Sequence, residues 1–393
     1  MTNYERLCRT LAGEGVDRLM TWDYIDHDEI LVRYGGYDPA RRYEFIELLD
    51  LNVRAVKKAG LDMTRGIYNP ARPWLNDKVA GWVRFLGVDP AGWEVSQTGG
   101  TGWISKRPFS DLKGLEKHLP RPPVFEEVAA WFKPLLAQVK QVVDANDLAW
   151  VQGVEGPLSD AYIYTDMELF MTAVSDAPEL IAHVVDCMTQ FSTCIARAYS
   201  EFSTSPLFFM GEDICHRTGP IISPAWLRSN ALPQWRRILA PLRAKGFKFI
   251  FHSDGRYGPA LPLVLEELDV DGLHPIERNG CNDIFEIHRQ YPQKFLFGNV
   301  CCSVTLPQGN ASDVEDETLE LIERMGPDRK NFIGSSSEVH NLVPLVNAET
   351  MYRTVHEYGT YPIDVDRIRQ RRQAIADSRR IRNPDKMYSS RSA

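Results

Sequence analysis

No stretch of the 393 residues is both uncharged and as long as the roughly 18 residues a membrane-crossing helix needs. The first twenty residues carry Glu5, Arg6, Arg9, Glu14, Asp17 and Arg18, so they cannot supply the apolar core of a secretory signal. Cysteine is scarce: seven in the chain, an odd number, none in a CxxC pair. That excludes a disulfide-stapled scaffold and fits a reducing compartment, so a cytoplasmic protein with no membrane partner is expected. The net charge is −8, and an acidic chain of this kind is a poor partner for nucleic acid. Familiar cofactor and nucleophile signatures are missing too. There is no GxGxxG after the first strand, no GxxxxGK[ST], no GxSxG and no HExxH.

What is present is an alternation. Apolar runs at 18–24, 148–157, 206–214, 247–255, 270–278, 294–302 and 331–339 read as strands. From residue 124 onward they are separated by helical patterns of 10–20 residues, the mark of a parallel sheet built from βαβ units. Each run ends in polar residues: GED, HSDG, HPIER, GNVCC, SSSEV. Polar residues at the carboxyl ends of many successive strands belong to a (β/α)8 barrel, whose cavity is the ring of strand ends. An open doubly wound sheet gathers them at one crossover instead. Seven strands are one short of eight, and the missing one is expected within 61–110. The reading is therefore a single (β/α)8 TIM barrel over 1–365, with an N-terminal insert at 61–125. That insert is rich in Gly, Pro and Trp, with two short strands around Gly99-Gly100. Residues 27–60 read as helical. The last 28 residues form a basic C-terminal helix or tail, 366–393, with nine basic side chains against three acidic ones, suited to an acidic partner surface.

His252, in FIFHSDG, is the leading catalytic candidate. With a strand period of two, His252 and Asp254 point the same way, so an imidazole and a carboxylate would share one wall. Glu212 and Asp213 are neighbours on a strand end, so at most one of them enters the cavity. Glu277 and Glu338 end later strands, and with His252 they form a candidate metal set of mixed nitrogen and oxygen ligands. His274 reads as structural, and Cys301 and Cys302 as small buried residues. Trp22, Asp23, Tyr24, Arg256 and Asn299, at or just beyond other strand ends, are expected to contact substrate. Arg217, Arg256 and Arg278 follow strand ends and would form the cation cluster a decarboxylase needs. Tyr68, Trp74, Trp82, Trp93, Trp103 and Phe109 form either a roof for an aromatic substrate or a small subdomain core.

Taken together, GEGVDRLMTWDY, VEGPLSDAYIYT, the strand GED, FHSDG followed by GLHPIE, then FGNV and GSSSEV resemble the uroporphyrinogen decarboxylase superfamily over residues 10–360. The resemblance implies a barrel with its cavity at the strand C-termini. True decarboxylases of the superfamily carry an Arg-rich MRQAGR-like segment where this chain has the acidic TWDYID (21–26). The other branch comprises cobalamin (corrinoid)-dependent methyltransferases. Its thiol-methylating members hold zinc on a His-x-Cys motif and a later Cys. The matching positions here are His252-Ser253-Asp254 and Ser335–Ser337, without either Cys. What the resemblance implies is a methyltransferase moving a methyl group from a small, O-methylated substrate, an aromatic one included, to a corrinoid-binding protein. Zinc is a candidate cofactor, and a homodimer is the assembly considered. The alternative is a decarboxylase or lyase acting on a small carboxylated substrate.

Overall fold

The computed structural model describes residues 1–98, 101–278 and 282–382. Eight parallel strands form a ring: β1 (Trp22–Asp23), β2 (Met63–Thr64), β3 (Ala149–Trp150 continuing as Gln152–Glu155), β4 (Leu207–Gly211), β5 (Lys248–His252), β6 (Gly272–His274), β7 (Phe295–Val300) and β8 (Asn331–Ser335). Each pairs in parallel with the next. The ring closes where Thr21 bridges Ile333, whose N–H donates to Met20 O at 3.1 Å. The eighth strand is β2, two residues long, so the segment assigned to an insert from residue 61 opens with a barrel strand. It escapes periodicity because two residues define no period.

The period of two sorts every strand residue inward or outward. Inward lie Trp22, Met63, Ala149, Leu207, Phe209, Ile250, Phe295, Phe297 and Phe332, packed as one buried cluster. Aromatic rings fill a barrel whose interior is more often Val, Ile and Leu. Inward glycines make the room: a Cβ on Gly153 would meet Phe209, and one on Gly272 would meet Phe295 and Phe297. Phe297 and Phe332 stack with centroids 4.5 Å apart. Truncating a buried ring of this kind to Ala costs about 3–5 kcal/mol.

Helices that frame the site are, in chain order, α1 (Asn3–Leu11), α2 (Phe45–Ala59), α3 (Trp74–Leu86), α4 (Phe125–Ala145), α5 (Pro157–Thr165), α6 (Pro178–Glu201), α7 (Leu232–Arg243), α8 (Ala311–Met325), α9 (Leu345–Tyr358) and α10 (Val365–Arg382), with the ten-residue helix Met167–Asp176 and shorter helices and turns among them. α1 opens with a capping box between Thr2 and Glu5 and sets Leu7 and Leu11 against the barrel interior. The helix expected over 27–60 is interrupted. Gly36 takes a left-handed φ of 78° and Pro39 follows, so regular helix resumes only at Phe45. No helix among the described residues is long and apolar enough to cross a membrane.

The insert holds α3 and a hairpin of Glu94–Thr98 with Thr101–Lys106, whose expected Gly-Gly turn lies outside the described residues. Trp82, Trp93 and Phe109 pack on one another and on Tyr164, so these aromatics are a subdomain core rather than a roof. The basic C-terminal segment docks on its own chain. Arg371 pairs with Glu315 at 2.6 Å, Arg372 with Asp316 and Glu323, and Arg379 with Asp313 and Asp316, all on α8. Residues 383–393 lie outside the described part.

Candidate active site

β4 and β5 run in register with Gly211 opposite His252, so the residues just beyond them face one another across the barrel mouth. His252 continues the inward series of Ile250, and Asp213 that of Phe209 and Gly211. The His252 Nε2 atom lies 3.6 Å from Asp213 Oδ1 and 3.9 Å from Asp254 Oδ1. Asp254 N–H donates to Asp213 Oδ1 at 3.0 Å and locks the two acidic residues together. The other imidazole nitrogen, Nδ1, is engaged at 2.8 Å by His274 Nδ1 on β6, and the two rings stack at 5.0 Å. Nε2 is therefore the His252 atom left for chemistry. Below lies an aromatic floor: Phe209 is 5.3 Å from the His252 ring, and Trp22 is 5.7 Å from His274.

Electrostatics follow from this crowding. Burial, then Arg65, holds the His252 imidazole well below its usual range, and burial, then His252, does the same for His274. Both rings are neutral near pH 7. Burial pushes the Asp213 carboxyl up, with Glu277 and Glu338 adding to it; burial, Asp213, Glu277 and Glu338 push Asp254 well up. Yet the Asp213 and Asp254 side chains remain 43% and 49% exposed, open to a ligand. Two carboxyls this close retain a proton or hold a cation. Asp213, His252 and Asp254 each offer a ligand atom within 4.8 Å of the other two, and Asp254 Oδ1 is shielded without a hydrogen-bond partner. One imidazole nitrogen and two carboxylate oxygens suit a divalent cation of borderline hardness such as zinc.

Several expected residues stand elsewhere. Glu212 alternates outward, fully buried, and accepts from Leu158 N–H and Ser159 N–H at the start of α5 and from Trp235 Nε1–H at 2.7 Å. It joins β4 to the surrounding helices and does not reach the cavity. Asp23 also points outward, buried against Ser335 and the Tyr352 hydroxyl. Trp22 lies in the barrel interior beneath the histidines rather than at a substrate surface. Asn299 is buried, and its Oδ1 accepts from Ile276 N–H at 3.0 Å. Arg256 is exposed, its backbone N–H held by His216 O. Arg217 is exposed as well, and Arg278 turns out to Glu317 and Glu320 on α8, so the expected arginine cluster does not form. Among the described residues the metal set of His252, Glu277 and Glu338 does not come within ligand distance as the Asp213–His252–Asp254 group does; Glu277 accepts from Gly255 N–H at 2.9 Å, and Glu338 lines a neighbouring cavity. Cys301 and Cys302 are buried, and Cys302 Sγ accepts from the Ser336 hydroxyl.

Three further residues at the mouth were not singled out by the sequence: Arg65 and Asp26 follow strands of two residues, and Glu155 closes the run 148–157. Arg65 follows β2 and lies over the rings of Tyr24 (4.9 Å) and Phe209 (4.6 Å). Glu155 ends β3, its carboxyl raised by burial and by Asp160 and Asp213. Asp26 lies just past β1, its carboxyl raised to about 8 by burial and Glu338. Two cavities flank Tyr24 and Arg65. One of about 320 Å³ is lined by Arg65, Glu155 and Phe209, and one of about 470 Å³ by Tyr24, Asp26, Tyr68, Trp74 and Glu338.

Solved structures resemble this barrel to different degrees. A methyltransferase from Methanosarcina mazei superposes with a TM-score of 0.68 at 18% identity, covering 91% of this chain and 99% of that one. A family 5 xyloglucanase from Paenibacillus pabuli overlaps less well, with a TM-score of 0.41 at 10% identity over 86% and 99% of the two chains. No curated protein sequence matches. Residues 88–358 match uroporphyrinogen decarboxylase (URO-D), a span that covers β3 to β8 and every residue of the Asp213–His252–Asp254 cluster. The chain belongs to the uroporphyrinogen decarboxylase family.

Proposed function

We propose that the protein is a methyltransferase that takes a methyl group from a small O-methylated substrate and passes it to a corrinoid carried by a partner protein. The observation that supports this most is the Asp213–His252–Asp254 cluster, open to water above an aromatic floor. In the reaction the methyl carbon–oxygen bond breaks, its electron pair stays on oxygen, and the methyl group bonds to the reduced corrinoid metal. The leaving oxygen needs a proton or a positive charge at that moment, because a free phenolate forms only near pH 10. Asp213 and Asp254, whose carboxyl pKa values burial raises, are the groups placed to deliver that proton as a general acid. A divalent cation such as zinc, when bound by Asp213, His252 and Asp254, would supply Lewis-acid polarisation of the same oxygen. His274 fixes the His252 ring so that Nε2 faces the carboxyls. The aromatic floor keeps water from beneath the site.

The experiment is methyl transfer from an aromatic methyl ether to an added corrinoid protein, followed by the corrinoid absorbance change, with elemental analysis of the purified chain. His252→Ala is expected to lower the rate by about 10²-fold or more. Wild-type turnover in that variant ends the proposal. Arg65 favours a second reading. A partly buried cation beside the mouth is what a substrate carboxylate would pair with in a decarboxylation. Release of CO2 from a small acid without any corrinoid would select that reading.

A further inference from the structure

The larger cavity lies beyond the cluster and is not used by the chemistry above. Its floor comes from one local pairing: Val339–His340 runs parallel to Ile25–Asp26, with Val339 opposite Ile25 and His340 opposite Asp26. That register puts Tyr24, Asp26 and Glu338 on a single face. Asp26 is 7% exposed, lines the cavity, and its Oδ1 has no hydrogen-bond partner. A buried carboxylate oxygen without a donor is costly unless something positive meets it. The wall also presents the rings of Tyr68, Trp74 and Phe45, with Phe45 and Trp74 remaining 38% and 46% exposed, beside the polar side chains of Asn69, Arg72 and Asp77. The lysine and one arginine nearby are paired, whereas Arg65 has no carboxylate partner among the described residues and acts on Asp26 through space. Arg72 pairs with Asp77 at 3.0 Å, Lys78 pairs with Asp160, and Arg65 lies across the Tyr24 ring and lines the other cavity. The Asp26 and Glu338 carboxyls face a hollow of about 470 Å³, much larger than a bare metal ion requires.

We infer that this cavity binds an organic cation, a quaternary or alkylated ammonium group on a small carbon body, with Asp26 and Glu338 facing the charge and the rings of Tyr68, Trp74 and Phe45 facing the alkyl groups. Aromatic faces attract such cations, and the carboxylates add the Coulomb component. The inference concerns a separate cavity and stands whether or not methyl transfer is correct.

The test uses the full chain and two probes of equal shape, choline and its neutral carbon analogue 3,3-dimethylbutan-1-ol, titrated by calorimetry and by Trp74 fluorescence. Choline is expected to bind about tenfold or more tightly than the alcohol. Asp26→Asn is expected to weaken choline by a similar factor while leaving the alcohol unchanged, and Glu338→Gln to do so less. Thermal unfolding of both variants checks that they fold. Equal binding of the two probes, or undiminished choline binding in a folded Asp26→Asn chain, overturns the inference. So does equal competition by ammonium chloride, which would mark a bare charge site. His252→Ala should bind choline as the wild type does, so failure of the methyl-transfer proposal is read separately.

Discussion

Two groups of acidic residues in this molecule are handled in opposite ways. Along α8, Glu315, Asp316 and Glu323 each meet arginines of α10. Glu323, despite partial burial, is held below the usual carboxylate range by hydrogen bonds from Arg369 and Arg372. At the barrel mouth, Asp26, Glu155, Asp213 and Asp254 are all pushed upward, and Arg65 is the basic side chain that bears on each of them. The first arrangement neutralises charge and fastens a helix. The second gathers carboxyls that no lysine or arginine pairs with among the described residues, and such groups in a recess are available to a ligand.

The comparison predicts unequal effects. The largest is catalytic: His252→Ala should lower kcat/KM for methyl transfer by about 10²-fold or more, with the unfolding temperature nearly unchanged. The next is Glu212. Three donors favour its anion, but burial wins and raises the carboxyl to about 8. The folded chain keeps this proton where the unfolded chain, at the ordinary 4.5, has released it. Stability from this group is therefore full below pH 4.5 and is lost as pH rises toward 8. Glu212→Gln should flatten the fall in Tm measured between pH 5 and pH 8; an unaltered slope would show that the carboxyl is ionised throughout. Third, Asp254→Asn should raise Tm at pH 8 and leave it unchanged below the ordinary Asp range, because its folded pKa is also raised. That gain should come with lost activity, and a lower Tm at pH 8 would undo the contrast between the two regions. The smallest effect is on the other side: Arg372→Ala should cost about 1 kcal/mol or less, fading in high salt, since its pairs lie near the surface.

Much of the mouth was legible because its strands are long enough to show a period. FIFHSDG carries three apolar residues to His252, and the alternation that buries Ile250 turns His252 inward and Asp254 with it. The same rule holds that only one of Glu212 and Asp213 can enter, but the chain does not say which. The parity of Phe209 against Phe208 decides it. Arg65 was not legible, since the strand before it is Met63–Thr64 within a Gly- and Pro-rich stretch. His274 read as structural because nothing local tells of a second imidazole 2.8 Å away on the next strand. The partner of the basic C-terminal segment was hidden for a similar reason: Arg371 and Glu315 lie 56 residues apart.

By itself the sequence determined the alternation of strand and helix, the polar strand ends and hence a barrel with its cavity at the carboxyl edge. These are local properties, written in apolar period and in the residues that stop each run. Only the tertiary structure decided which carboxylates stay unpaired. Whether an acid is neutralised depends on what the closed ring and its helices bring within a few ångströms, and residues far apart along the chain meet there only once the ring has closed.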